Sequence, residues 1–258
     1  MKSIRIDLPR DLKEIELHPL ADLHLGDAHS DWELIQGELK HIMDTPNAYC
    51  ILGGDLMDSA IKSSIGDIYT ANIQPMEQLR QCVEIFEPLA KAGKILAVVG
   101  GNHEFRHYKT NGVDMTSLMC SQLGIADRYS SATAVLFLRF GHDSGHNRPQ
   151  CYSIYLTHGS GGGRREGGKI NRLADLATII DTDIYICGHT HLPAVFRQSF
   201  FRADRQNNSV YQCEKLFVNT AAALNYGGYG EVQGYKPASK INPVVLMSGK
   251  KHAMSAII

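Results

Sequence analysis

The stretch Ile184-Tyr185-Ile186-Cys187-Gly188-His189-Thr190-His191 decides how the chain is read. Its first four residues form a short apolar run, the mark of a buried strand, and its last four place two histidines where that strand gives way to a loop. Along extended chain, residues two apart share a side, so His189 and His191 are expected to face the same way. Two imidazoles converging from one strand end hold one metal, or one each of an adjacent pair. Taken alone, the segment equally fits a polar strand-to-loop crossing whose histidines bond only backbone and water. The upstream chain separates the two readings.

Four more apolar runs end in the same manner. Residues 15–20 run into Ala21-Asp22-Leu23-His24, where Asp22 and His24 again share a side. Residues 48–52 end in Gly53-Gly54-Asp55, and the paired glycines allow a sharp turn that brings Asp55 inward. Residues 94–99, a continuous apolar run after Lys94 as in a parallel sheet, end in Gly100-Gly101-Asn102-His103-Glu104. Residues 152–157 end in His158-Gly159.

Helical patterns lie between these runs. Ser30-Asp31-Trp32-Glu33 has the spacing of a capping box opening a helix to about residue 43. Met76, Leu79, Val83, Phe86, Leu89 and Ala90 follow helical spacing within about 75–92, and Gly93 stands where such a helix would stop. Shorter helices are expected at about 115–123 and 171–180. Residues 135–140 and 152–157 read as a hairpin around the polar loop 141–150, residues 195–201 and 210–218 as two further strands around the turn-rich 204–208, and 244–247 with the C-terminal residues as last short strands. Strand–helix alternation in the first half and hairpins in the second predict an α/β fold, with residues 1–258 as one domain and ligands collected beyond the strand ends.

Composition bounds the rest. Across 258 residues, 43% hydrophobic and 21% charged side chains are ordinary for a folded globular chain. A net charge of −1 exerts no general pull towards nucleic acid or an anionic membrane, so a polyanionic substrate must be held locally. The apolar runs are too short for a bilayer and Met1-Lys2-Ser3-Ile4-Arg5 lacks a signal-peptide core, which leads to the expectation of a cytoplasmic protein with no membrane contact. The six scattered cysteines are expected to be small buried hydrophobes in a reducing compartment. Twelve histidines are the one excess and point to metal or acid–base chemistry. Those outside the strand ends, namely His18, His29, His41, His107, His142, His146 and His252, read as ordinary surface or core side chains.

Collected in order, the strand ends spell D-x-H, G-D, G-N-H-[DE], H and G-H-x-H, and through these segments the chain resembles the calcineurin-like metallophosphoesterases over roughly residues 21–192. The resemblance implies a layered αββα sandwich, two mixed sheets flanked by helices, and hydrolysis of phosphoester bonds at a dinuclear metal centre. It implies one metal on Asp22, His24, Asp55 and His191, the other on Asp55, Asn102, His158 and His189, with Asp55 as the bridge. Such a mixture of imidazole, carboxylate and amide donors suits Mn²⁺, Fe or Zn²⁺ better than Mg²⁺ or Ca²⁺, and two Mn²⁺ ions are the first expectation. His103 is not counted as a ligand. It is expected to stabilise charge on the transferring phosphoryl group or to protonate the leaving oxygen, the alternative being that it only positions Asn102. Asp58 and Glu104 are expected to orient ligands or cap loops.

Asn102 and His103 are also expected to face the substrate, together with Arg164 and Arg165 of the Gly-rich loop after His158, unless that loop is merely solvated. The loop lacks a P-loop ending, which argues against a triphosphate cradle. Tyr226, Tyr229 and Tyr235 would either stack a base or pack their own loop. The leading expectation is a phosphodiester or nucleotide-like substrate, including a nucleic-acid end. Alternatives are an Mre11/SbcD-like nuclease, a phosphomonoesterase and a catalytically silent binding scaffold.

Overall fold

The computed structural model describes residues 1–62, 64, 71–142 and 148–258. Residues 63 and 65–70 of the polar connector before the second expected helix and residues 143–147 within the first hairpin, with His146, lie outside the described residues, as does the side chain of Tyr229. In chain order the elements are β1 (Lys2–Asp7), β2 (Glu14–Leu20), α1 (Trp32–Asp44), β3 (Ala48–Leu52), α2 (Pro75–Lys91), β4 (Ile95–Val99), α3 (Phe105–Asn111), α4 (Met115–Gln122) and β5 (Tyr129–Ser130). They continue with β6 (Thr133–Phe140), β7 (Gln150–Thr157), α5 (Glu166–Asp175), β8 (Ile184–Cys187), β9 (Ala194–Asp204), β10 (Ser209–Asn219), α6 (Gly228–Val232), β11 (Val244–Ser248) and β12 (Met254–Ile257).

Alternation along the strands sorts side chains into layers. In β2, Ile15 and Leu17 enter a core shared with Ala134, Leu136 and Leu138 of β6 and Ile154 and Leu156 of β7, whereas Leu20 joins a second core with Ile35 and Ile42 of α1 and Leu79 and Phe86 of α2. The first core lies between two sheets, and the second lies between one sheet and its helices. A third, smaller one covers the outer face of the other sheet, where Tyr155, Tyr185 and Phe217 meet Leu173 of α5. The result is the expected α/β sandwich, two mixed sheets between helices.

One sheet runs β12-β11-β2-β3-β4-β5 and the other β1-β6-β7-β8-β10-β9. Strands β2, β3 and β4 are mutually parallel, and so are β7, β8 and β10, while hairpins and edge strands add the antiparallel pairs. The parallel strands therefore end together, and the motif residues follow those ends.

Four local features depart from the sequence expectations. Asp31 caps α1, its Oδ1 accepting from the Leu34 amide at 3.1 Å, while the Ser30 hydroxyl donates to the Leu23 carbonyl at 2.8 Å, so the expected capping box does not form. Helix α5 begins at Glu166 rather than near residue 171. Helix α3 has no buried residue, hence no apolar stripe to announce it. Cys50, Cys82, Cys120 and Cys187 are buried as expected, but Cys151 is exposed on β7 and Cys213 half-buried on β10.

Candidate metal centre

The loops after β2 and β3 are zipped together by backbone bonds: Asp22 N–H to Gly54 C=O at 3.0 Å, His24 N–H to Asp55 C=O at 3.0 Å, and Leu25 N–H to Leu56 C=O at 2.9 Å. Within the other sheet, the Gly188 amide reaches the His158 carbonyl at 3.1 Å, and across the two sheets the His189 amide reaches Asp22 Oδ2 at 2.9 Å. These bonds bring four of the five strand ends to one place, and the end of β4 joins them through the His103 amide, which donates to Asp55 Oδ1 at 2.8 Å.

Asp22, His24, Asp55, His189 and His191 all lie at φ between 47° and 66°. Side-chain residues other than Asn and Asp visit this left-handed region rarely, and each such residue costs on the order of 1–2 kcal/mol. Asp22 and His24 therefore meet through alternating left-handed backbone, not through the plain pleat assumed from the sequence. The same geometry sends His189 and His191 to different neighbours.

Two donor sets carry the expected ligands, and a third group of His24, Asp58 and His103 adjoins them. In the first, His191 Nε2 lies 3.1 Å from Asp22 Oδ1 and 3.4 Å from His24 Nε2. In the second, His158 Nε2 lies 3.1 Å from Asp55 Oδ2, 3.0 Å from Asn102 Oδ1 and 3.3 Å from His189 Nδ1. Each set mixes donors from both sheets. Asp22, His24, Asp55 and His158 are at most 4% exposed. Imidazole nitrogens facing one another at 3.3–3.4 Å beside buried carboxylates have the spacing of neighbouring ligands on one divalent ion, so the residues present fit the expected metals.

The surroundings fix these groups. His158 Nδ1 lies 2.9 Å from the Gly53 carbonyl, which leaves Nε2 pointing into the site. Burial opposes charge on His158, but the bond and charge of Asp55 raise its pKa to about 10. Asp55 is correspondingly held below the usual carboxylate range, its burial overcome by His158 and by the charges of His103 and His24. Burial, then the neighbouring His103, lowers His24. Metal ligation requires this pattern of ionised carboxylates beside neutral imidazoles, and at His158 the proton must leave.

Glu104 organises the β3 loop. Its buried carboxylate accepts from the amides of Asp55 (3.1 Å), Leu56 (2.6 Å), Met57 (3.0 Å) and Gly101 (3.2 Å). Glycine is required beside it, because a Cβ on Gly101 would stand 2.1 Å from both the amide nitrogen and Oδ1 of Asp55. His103 sits at the rim: its amide donates to Asp55 Oδ1 at 2.8 Å, its Nδ1 lies 3.1 Å from Asp58 Oδ1, and its Nε2 lies 3.7 Å from Asp55 Oδ2. Its ring meets His24 edge-on at 4.5 Å. Burial works against its charged form, but Asp58 and Asp55 raise its pKa overall.

Arg164 and Arg165 are placed differently from the ligands. Arg164 donates to the Gln233 carbonyl at 2.9 Å and lies over the Tyr235 ring at 5.7 Å, and Arg165 is exposed at the N-cap of α5. Lys169 donates to the Thr190 carbonyl at 2.7 Å, between the two histidines of the last motif. Two contributors escaped the sequence reading. Asn219, at the end of β10, donates to Thr190 Oγ1 at 2.8 Å and to the Leu192 carbonyl at 2.6 Å, and the Thr220 hydroxyl lies 3.5 Å from Asp22 Oδ2. Their signal was there: Leu216-Phe217-Val218-Asn219-Thr220 is another apolar run ending in polar residues.

The family pattern described as calcineurin-like phosphoesterase matches residues 23–193, and the chain belongs to that family of metal-dependent hydrolases acting on phosphoester bonds. Among solved structures the chain is similar to a predicted phosphoesterase from Streptococcus pneumoniae TIGR4, at 14% identity and a TM-score of 0.40 over 95% of this chain and 90% of that one. It is also similar to Vps29 complexed with Zn²⁺ from Entamoeba histolytica, at 14% identity, TM-score 0.38, over 94% and 97% of the two chains. A nuclease, MPE, from Pseudomonas putida is similar at 16% identity, TM-score 0.35, over 89% and 84%. No curated protein matches the chain significantly.

Proposed function

We propose that this chain is a cytoplasmic phosphohydrolase that cleaves a phosphodiester or nucleotide-like phosphate at a dinuclear centre. Asp22, His24, Asp55 and His191 hold one ion, and Asp55, Asn102, His158 and His189 the other, with two Mn²⁺ ions ahead of Fe or Zn²⁺. The observation that supports the reading is the pair of donor sets at the strand ends, each drawn from both sheets and each built of imidazole and carboxylate. Bound there, two divalent ions would neutralise charge on the phosphate oxygens and lower the pKa of the attacking water.

The remaining chemistry belongs to the side chains. Asp58 holds His103 Nδ1, so the ring presents Nε2 to the substrate side of Asp55. From there His103 delivers a proton to the leaving oxygen, and the neighbouring Asp58 and Asp55 carboxylates favour its protonated form. Asn102, held beside His158, faces the same phosphate. In this reading Arg164 and Arg165 meet the outer part of the substrate, Arg164 by exchanging its bond to Gln233.

Chelator-stripped protein with Mn²⁺ restored should hydrolyse bis-p-nitrophenyl phosphate faster than p-nitrophenyl phosphate, and Asp55→Asn should abolish both activities. Monoester preference would redirect the substrate class. Two bound metals without turnover of either ester would sink the hydrolase reading in favour of a scaffold.

A further inference from the structure

A second group of donors lies on the other face of β2. The alternation that sends Ile15 and Leu17 between the sheets turns Glu16 and His18 towards α1, on the side of Leu20. The last turn of α1 carries His41 over them, with its Nε2 3.1 Å from Glu16 Oε2 and its ring 5.2 Å from that of His18. His18 is only 6% exposed, and its Nε2 has no hydrogen-bond partner among the described residues. Glu16 Oε2 stands 3.5 Å away, close without bonding. A buried imidazole nitrogen left in this way is costly unless something else occupies its lone pair.

The geometry indicates what that is. The donor atoms of Glu16, His18 and His41 all lie within 4.8 Å of one another. His18 and His41 border an open cavity of about 660 Å³ whose wall also carries Glu38, one helical turn before His41, and Leu34. Nitrogen and oxygen ligands about 2.0–2.2 Å from a tetrahedral zinc stand roughly 3–3.5 Å apart, and the separations of 3.1 and 3.5 Å match that spacing. The nearby Lys94 ammonium does not compete for Glu16, because it donates to the carbonyls of Ile42, Thr45 and Ala48.

We infer that Glu16, His18 and His41 form a mononuclear zinc site, separate from the two donor sets at the strand ends, with Glu38 or water as the fourth ligand. An ion there would fasten α1 to β2, the strand that leads into Asp22 and His24. The site takes no part in the reaction and does not depend on the catalytic reading.

Equilibrium dialysis of the chelator-stripped full chain against micromolar Zn²⁺, followed by metal analysis, tests it. Wild type should retain one equivalent more than His41→Asn and one more than His18→Gln, each checked for native circular dichroism. The same one-equivalent loss should appear when His41→Asn is added to Asp55→Asn, which separates this site from any failure of the strand-end centre. His41 is exposed, so its replacement leaves the core intact even if His18→Gln does not fold. Equal zinc in wild type and His41→Asn would overturn the proposal.

Discussion

His103 is the residue whose chemistry is most exposed to test. It is fixed through Nδ1 by Asp58 and faces Asp55 through Nε2, and the proposed role for it is to give a proton, not to hold a metal. His103→Gln should therefore lower turnover of an alkyl or nucleoside diester about 10²-fold or more, yet cost far less with the p-nitrophenyl ester, whose leaving group needs no acid. Metal content should stay unchanged; equal losses on both substrates would assign His103 a positioning role. At this scale the sequence was informative because each candidate ligand adjoined an apolar run. It was silent on backbone conformation: nothing in Asp22-Leu23-His24 or His189-Thr190-His191 signals left-handed φ, which the converging loops impose. It also gave His18 and His41 no role, since their meeting depends on how α1 crosses β2.

Elements bring in partners that no local pattern can name. Strand β10 ends in Asn219, whose amide holds the Thr190–Leu192 turn, and Asn219→Ala should weaken metal affinity about 10- to 100-fold in a competition titration while leaving the circular dichroism spectrum native. The turn after β11 offers a pH-dependent latch. His252 stacks on Tyr152 at 4.6 Å, and its Nε2 lies 3.7 Å from Asp183 Oδ2. The bond to Asp183 raises the pKa of His252, and Asp183, despite its burial, is held low by His252 and Ser153. The raised histidine contributes stability that is present below its unfolded value of 6.5 and lost as pH rises through the folded value; the lowered carboxylate contributes above 3.8 and loses that contribution on acidification. His252→Gln should thus depress the melting temperature more at pH 5.5 than at pH 8.5, and a pH-independent difference would remove the ion pair from the account. Strand and helix periodicity were legible for most of these elements. Helix α3 and the docking of Arg164 on Tyr235 were not, because one lacks a buried face and the other joins residues far apart in the chain.

For the molecule as a whole, the strand-end donors lie between two sheets that elsewhere meet mainly through apolar side chains, with polar bonds such as those of the Tyr152 hydroxyl to the Ser248 and Ala253 carbonyls. Ions bound only by the folded chain stabilise it by mass action, about 2.7 kcal/mol at a hundredfold excess over the dissociation constant. Chelation should lower the melting temperature by several degrees, and graded Mn²⁺ should restore it in proportion to the logarithm of its concentration; a metal-independent transition would mean that the donor sets are not load points between the sheets. The layered architecture was visible in the order of strands and helices, but not the assignment of the end strands. Strand β1 pairs with β6 in the sheet built from the second half of the chain, while β11 pairs with β2 in the sheet built from the first half. The first half has thus lent the other sheet its border strand β1, and the second half has lent the border hairpin β11–β12. A backbone nick between Ser131 and Ala132 would leave two fragments that cannot complete their sheets separately but carry each other's missing pieces, so the fold is arranged as a clasp that a severed chain could close again by complementation.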